Sequence, residues 1–120
     1  MDEDFQHHVA EWLIDCFGRE VALDRRERLH RFLEEALELA QAGGCTRDEA
    51  AQLTEYVFSR PLGTVPDEAG GVMVTLAGVC EAHTVSMKAL AERELARNRG
   101  RTHEIRAKRG RKVTGSSLPC

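Results

Sequence analysis

A chain of 120 residues has room for one domain with a single modest core. Its composition, 42% hydrophobic and 31% charged with only three prolines, favours a globular, helix-rich protein and excludes an extensively disordered one. The net charge of −3 combines an acidic region up to about Glu94 with a basic segment from Arg93 to Lys112, which is the one segment suited to binding a polyanion.

The four cysteines lie far apart, form no CxxC pair and are not grouped with histidines at the spacing of zinc ligands. They indicate reduced thiols in a cytoplasmic protein. The sequence MDEDFQHH is acidic and lacks an apolar signal core, and no apolar run of about 18 residues occurs that would cross a bilayer. We therefore expect neither secretion nor a membrane partner. The cysteines are Cys16, Cys45, Cys80 and Cys120.

Two amphipathic helices are predicted in the first third of the chain. Apolar residues at helical spacing predict a helix over 4–17, which Gly18 ends. A stripe of Leu, Phe and Ala residues predicts a second helix over 23–42, which ends at Gly43-Gly44.

The third and fourth helices have recognisable starts. Thr46 is followed three residues later by Glu49, the capping-box arrangement, which predicts a helix over 46–58. Pro66 suits the first turn of a helix over 66–83. Because this fourth helix is apolar nearly all round, we expect it to be covered by the rest of a bundle and by a second subunit.

A fifth helix is predicted over 86–107, and the Gly, Ser and Lys content beyond it is typical of a flexible basic tail over 109–120. The expected architecture is therefore an all-α bundle of four to five helices in a single domain over 1–108.

Three carboxylates of the second predicted helix share one side of it. At 100° per residue, Glu34 and Glu38 lie about 40° apart and Glu35 and Glu38 about 60° apart. One interpretation is a solvated helix face on which Arg31 pairs with Glu34 and Glu35. The other is a cation site, because like charges so close together repel and a divalent cation relieves the repulsion.

Apart from its neighbour Asp67, Glu68 is the only carboxylate between the start of the fourth predicted helix and Glu81. It is either a first-turn glutamate favoured by the helix dipole or a fourth member of the carboxylate group. If the second and fourth helices pack together, the four carboxylates meet at one edge. Such hard oxygen ligands suit Mg²⁺ or Mn²⁺.

The pattern Glu34-Glu35-x-x-Glu38, followed after an intervening helix by Glu68, resembles the EExxE and ExxD signature of the MazG-like all-α nucleoside triphosphate pyrophosphohydrolases. The resemblance covers roughly residues 25–100, and the blocks RFLEEALEL and GGVMVTLA look like those of short bacterial and phage MazG-like proteins. It implies hydrolysis of a nucleoside triphosphate to a monophosphate and pyrophosphate, by a homodimer or a dimer of dimers.

The resemblance also implies roles for single residues. Glu35, Glu38 and Glu68 would hold Mg²⁺, with Mn²⁺ as the alternative, and Glu34 would orient or deprotonate the attacking water. Asn98 occupies a place where the family often has a polar residue that contacts the nucleotide. Phosphate charge also calls for cations, and Arg97 and Arg101 are candidates to supply them, each with a solvated helix face as its alternative.

One departure from the family pattern weakens the enzymatic interpretation. Gly71 stands where the ExxD motif has its aspartate, so one expected metal ligand is missing. Asp67 projects about 100° away from Glu68 and Thr75 offers at best a neutral ligand. The alternative function is therefore a catalytically weakened or inactive MazG-like protein that binds nucleotides or dimerises.

A third hypothesis is a nucleic-acid-binding module that uses the basic segment from Arg93 to Lys112. The segment offers charge but has no interleaved aromatic residues and no base-reading motif. Nucleic acid is therefore not the expected partner.

Overall fold

The computed structural model describes residues 3–111, and every regular element in that range is an α-helix, which confirms the predicted all-α class. None of the helices in this part of the chain is both long and apolar enough to cross a membrane. The helices are α1 (Glu3–Phe17), α2 (Arg19–Ala22), α3 (Arg25–Ala42), α4 (Arg47–Phe58), α5 (Val65–Ala82), α6 (Met87–Arg99) and α7 (Thr102–Arg109).

The helices differ from the predicted ones at two places. A short helix, α2, precedes α3, because Gly18 at φ 81° turns the chain after α1. The Asp24 side chain then accepts the Glu27 backbone N–H at 3.0 Å, and α3 begins at Arg25. The single helix predicted over 86–107 is wrong, since Arg101 has a non-helical ψ of 23° between α6 and α7.

The predicted capping box of α4 is confirmed. The Thr46 hydroxyl accepts the Glu49 backbone N–H at 3.1 Å, and the Glu49 carboxylate accepts the Thr46 backbone N–H at 2.8 Å. At the start of α5, Thr64 is the N-cap and accepts the Asp67 backbone N–H at 3.3 Å, with Pro66 in the first turn. Local sequence signals therefore fix where both helices begin.

The chain divides into two compact units. One comprises the residues up to Phe32 together with those from Val85 onward, and the other comprises Leu33–Thr84. In the first unit α1 packs against α2, α6 and α7. Of the tail predicted over 109–120, Arg109 belongs to α7, and the residues from 112 onward lie outside the described ones.

Helix α7 is fastened to the end of α1 by polar contacts. Arg106 donates hydrogen bonds to the backbone carbonyls of Asp15 and Cys16, which have no helical partner at the end of α1. The buried Cys16 thiol donates to the Thr102 carbonyl at 3.8 Å. Burial raises the pKa of this thiol, with Arg106 and Arg28 acting in the opposite direction, so it keeps the proton that it donates.

A buried ion pair joins α7 to α3. Glu27 is only 2% exposed, and its two carboxylate oxygens accept hydrogen bonds from Arg109 Nε at 2.6 Å and Nη2 at 2.8 Å. This fork-shaped contact is the strongest type of arginine–carboxylate interaction. The hydrogen bonds from Arg109 hold the pKa of Glu27 below its ordinary value, although burial acts to raise it.

We expect Arg109→Gln to lower the free energy of unfolding by about 2 kcal/mol, because it leaves a buried carboxylate without its main partner. Urea unfolding measures the loss, and Lys108→Gln is the control that removes a positive charge from the same helix. A carboxylate with a lowered pKa stabilises the fold only while it is ionised. The difference between wild type and variant should therefore be constant above about pH 4.5 and shrink as the pH falls through the pKa of folded Glu27. A difference that does not change with pH would contradict this role.

The second unit contains no buried residue at all. It comprises the second half of α3 together with α4 and α5. The carboxyl ends of α3 and α5 lie close together, since a Cβ on Gly43 would be 3.7 Å from His83 Nε2. The expected cover over α5 is thus not provided within this unit, and the predicted four- to five-helix bundle stays a prediction.

Candidate functional site

The three glutamates of the EExxE pattern lie on one uninterrupted helix. Glu34, Glu35 and Glu38 all belong to α3, so the predicted angles between them apply. Glu34 is half-buried, whereas Glu35 and Glu38 are exposed. The structure therefore presents three carboxylates from one side of α3.

Glu38 also lines an open groove of about 500 Å³ between the end of α3 and the start of α4. Arg47 and Thr46 line the same groove, which is of a size that small ligands occupy. Sequence reasoning did not select Arg47, because no cation follows Glu38 within one helical turn. The signal that locates it is the tight turn at Gly43-Gly44, which brings the first turn of α4 back toward α3.

Glu68 lies in the exposed first turn of α5, where the helix dipole favours a carboxylate. Its side chain lies over the loop before the helix, since a Cβ on Gly63 would be only 2.2 Å from Glu68 Oε2. Gly63 thus provides the space that this carboxylate occupies.

The described residues 3–111 contain no group of three His, Cys, Asp or Glu side chains that could hold a metal ion. The geometry of α3 and α5 explains this. Their carboxyl ends meet at Gly43 and His83, and at 1.5 Å per residue Glu68 lies about 22 Å back from that point along α5. Glu38 and Glu34 lie only about 8 Å and 14 Å back along α3. The glutamates to which the family resemblance assigns magnesium are therefore not gathered into one group within residues 3–111.

Open space surrounds Gly71, the position at which the family pattern has its aspartate. A Cβ on Gly71 would meet nothing within 4 Å, so a larger side chain can be accommodated there. The Thr75 hydroxyl, one turn later, donates to the Gly71 and Val72 carbonyls at 2.9 and 3.1 Å. Its proton is therefore held by the helix backbone.

The predicted substrate-binding residues belong to the first unit, whereas the four glutamates belong to the second. Arg97 pairs with Glu94 at 3.3 Å, and Arg101 pairs with Glu104 at 3.5 Å. Asn98 is half-buried. Both arginines are thus paired with carboxylates of their own segment.

The basic segment has a structural role that its composition did not indicate. Arg106 and Arg109 fasten α7 to α1 and α3. With Arg97 and Arg101 also paired, four of its cations already contact partners within the chain. This lowers the charge available for a polyanion.

Comparison of the chain with protein-family models, curated proteins and solved structures finds no match. The resemblance to the MazG-like family therefore depends on the residues and motifs alone.

We expect Gly63→Ala to displace the Glu68 carboxylate, because the new methyl group would occupy its position. The flexible side chain can rotate away, so the change in thermal stability should be small. The carboxyl ¹³C resonance of Glu68 reports the displacement. Gly70→Ala, where a Cβ meets nothing within 4 Å, is the control and should leave that resonance in place. Equal shifts in both variants would contradict the contact.

Proposed function

We propose that this chain is a MazG-like nucleotide pyrophosphohydrolase that acts as a homo-oligomer. The substrate is a nucleoside or deoxynucleoside triphosphate, and the products are a monophosphate and pyrophosphate. The observation that carries the proposal is the set of three carboxylates, Glu34, Glu35 and Glu38, on one side of α3. Its free cysteines at 16, 45 and 80 agree with the reducing cytoplasm that we propose as its location.

The proposal requires the carboxylates to be brought together by assembly. Glu35, Glu38 and Glu68 are the residues that would hold Mg²⁺ or Mn²⁺, and one chain does not gather them. All three glutamates lie within residues 33–84, none of which is buried, so this part of the chain is available to pack against other helices. Oxygen donors of this kind suit either cation.

Glu34 is the residue that we propose to orient or deprotonate the attacking water. It is half-buried and lies on the same side of α3 as Glu38, so it is next to a carboxylate that is proposed to hold the metal. Arg97, Asn98 and Arg101 remain the proposed contacts to the nucleotide. For the two arginines, binding would mean exchanging Glu94 and Glu104 for phosphate.

We expect magnesium-dependent release of pyrophosphate from a panel of nucleoside triphosphates, and Glu38→Gln should lower the rate by more than about tenfold. The reason is that the substitution removes one negative charge from the side of α3 that carries Glu34, Glu35 and Glu38. Glu55→Gln is the matched control, since Glu55 is also exposed but lies on α4 outside the pattern. Equal rates for both variants, or no pyrophosphate from any nucleotide, would refute the proposal.

A second candidate is a protein of the same fold that binds nucleotides without hydrolysing them. Two observations favour it: Gly71 replaces the aspartate of the ExxD pattern, and no three potential ligands meet within residues 3–111. Nucleotide binding by calorimetry in the absence of pyrophosphate release would identify this function.

Gly71→Asp separates the two candidates further. The position has open space, and aspartate at this place supplies the missing carboxylate one turn after Glu68. We expect the variant to bind Mn²⁺ at least about tenfold more tightly, measured by electron paramagnetic resonance. Gly78→Asp is the control, because it introduces the same charge into α5 at another open glycine. If the affinity for Mn²⁺ rises equally in both variants, the increase comes from general electrostatic attraction and not from a specific site.

A further inference from the structure

The groove between the end of α3 and the start of α4 carries opposite charges from its two helices. Its volume is about 500 Å³, and Glu38 of α3 and Arg47 of α4 are among the residues that line it. Both side chains are exposed, and neither has an ion-pair partner among residues 3–111. The groove therefore offers a small ligand one guanidinium and one carboxylate that are not paired within this range.

Arg47 is the first residue of α4, where a positive charge is unfavourable. The dipole of a helix is positive at its amino end and repels a guanidinium there. The capping side chains of Thr46 and Glu49 accept each other's backbone N–H groups and leave Arg47 without compensation. Asp48 projects about 100° away from Arg47 around the helix and does not line the groove. An anion at Arg47 would therefore be attracted by the guanidinium and by the helix end together.

We propose that this groove binds a phosphate group of the nucleotide and that Arg47 is the residue that holds it. The inference rests on the proposed function and identifies a phosphate contact beside its carboxylates. A guanidinium matches phosphate because its N–H groups can donate two parallel hydrogen bonds to the phosphate oxygens. Glu38 repels a bare phosphate, so the phosphate is expected to bind together with Mg²⁺, whose charge offsets both negative groups.

Arg47 differs from the arginines that the family resemblance selects. Arg97 and Arg101 are paired with carboxylates and belong to the first unit, whereas Arg47 has no ion pair and belongs to the unit of the glutamates. The other arginine of residues 33–84 is Arg60, whose guanidinium lies 4.9 Å from the centre of the Tyr56 ring. Binding of phosphate at Arg47 thus breaks no existing contact of a charged group.

Calorimetric titration of the full chain with inorganic pyrophosphate in the presence of Mg²⁺ tests the contact. We expect Arg47→Gln to weaken binding at least about tenfold, because it removes a charge-assisted hydrogen bond. Arg60→Gln is the matched control, since it removes the same charge from α4's other end, outside the groove, and should bind like the wild type. Equal affinity of Arg47→Gln and the wild type, or no binding by the wild type, would overturn the proposal.

The repulsion by Glu38 gives a second measurement whose sign depends on Mg²⁺. Without Mg²⁺, Glu38→Gln should bind pyrophosphate more tightly than the wild type, because a negative charge next to the ligand is removed. With Mg²⁺, the same substitution should weaken binding. Glu55→Gln, on α4 outside the groove, is the control and should change neither affinity. If Glu38→Gln and Glu55→Gln behave alike, the phosphate does not bind beside Glu38 and the proposal fails.

Cys45 provides a reporter inside the groove that needs no variant. Its thiol is free and half-buried and lines the groove, whereas Cys80 is free and half-buried but does not line it. At ten times the dissociation constant of pyrophosphate with Mg²⁺, only about one chain in eleven is unoccupied. We therefore expect alkylation of Cys45 by iodoacetamide, followed by mass spectrometry, to slow by about tenfold while that of Cys80 is unchanged. Equal rates for Cys45 with and without the ligand would contradict binding in the groove.

These measurements detect binding and not hydrolysis, so the two proposals can fail separately. Binding that depends on Arg47, in a chain that releases no pyrophosphate from any nucleotide, would support this inference and refute the hydrolase. Release of pyrophosphate at the same rate and with the same KM in Arg47→Gln as in the wild type would support the hydrolase and overturn this inference.

Discussion

Burial is distributed very unevenly along this chain, and that constraint governs the rest of the structure. The first unit buries Cys16, Ala22 and Leu95, and it closes around the Glu27 carboxylate. The second unit buries nothing, although its helix α5 is longer and more apolar than α1. Since apolar burial is the main source of folding free energy, the buried residues stabilise the first unit, whereas residues 33–84 obtain little of this stabilisation from one another.

The ion pair of Glu27 with Arg109 shows how the small core of the first unit is completed. A carboxylate that is almost fully buried costs free energy unless its oxygens are paired, and the two hydrogen bonds from Arg109 meet that need. The same contact, with those of Arg106, turns a basic helix into a structural element. The positive side chains of α7 thus stabilise its packing within the chain, although their charge alone would have suggested binding to a polyanion.

The geometry of α3 and α5 bears directly on the functional proposal. Glu38 and Glu68 are carried by helices that meet at their carboxyl ends, and the two carboxylates therefore lie at different distances from the meeting point. A single chain therefore contains the proposed metal ligands, but these side chains do not lie together. In the proposed homo-oligomer, contacts with other copies would change the surroundings of these carboxylates.

The sequence by itself determined what depends on neighbours along the chain. Apolar periodicity set the helical class, the Thr46 and Glu49 side chains fixed the start of α4, and the spacing of the EExxE glutamates placed them on one face. Local sequence signals did not predict the break in the helix at Arg101. This break separates α6 from α7, and α7 contacts α1. Only the tertiary structure decided that Arg109 pairs with Glu27, that Arg47 shares a groove with Glu38, and that α5 stays uncovered. The physical reason is that these contacts join residues distant in sequence, and helical periodicity carries no information about which faces meet.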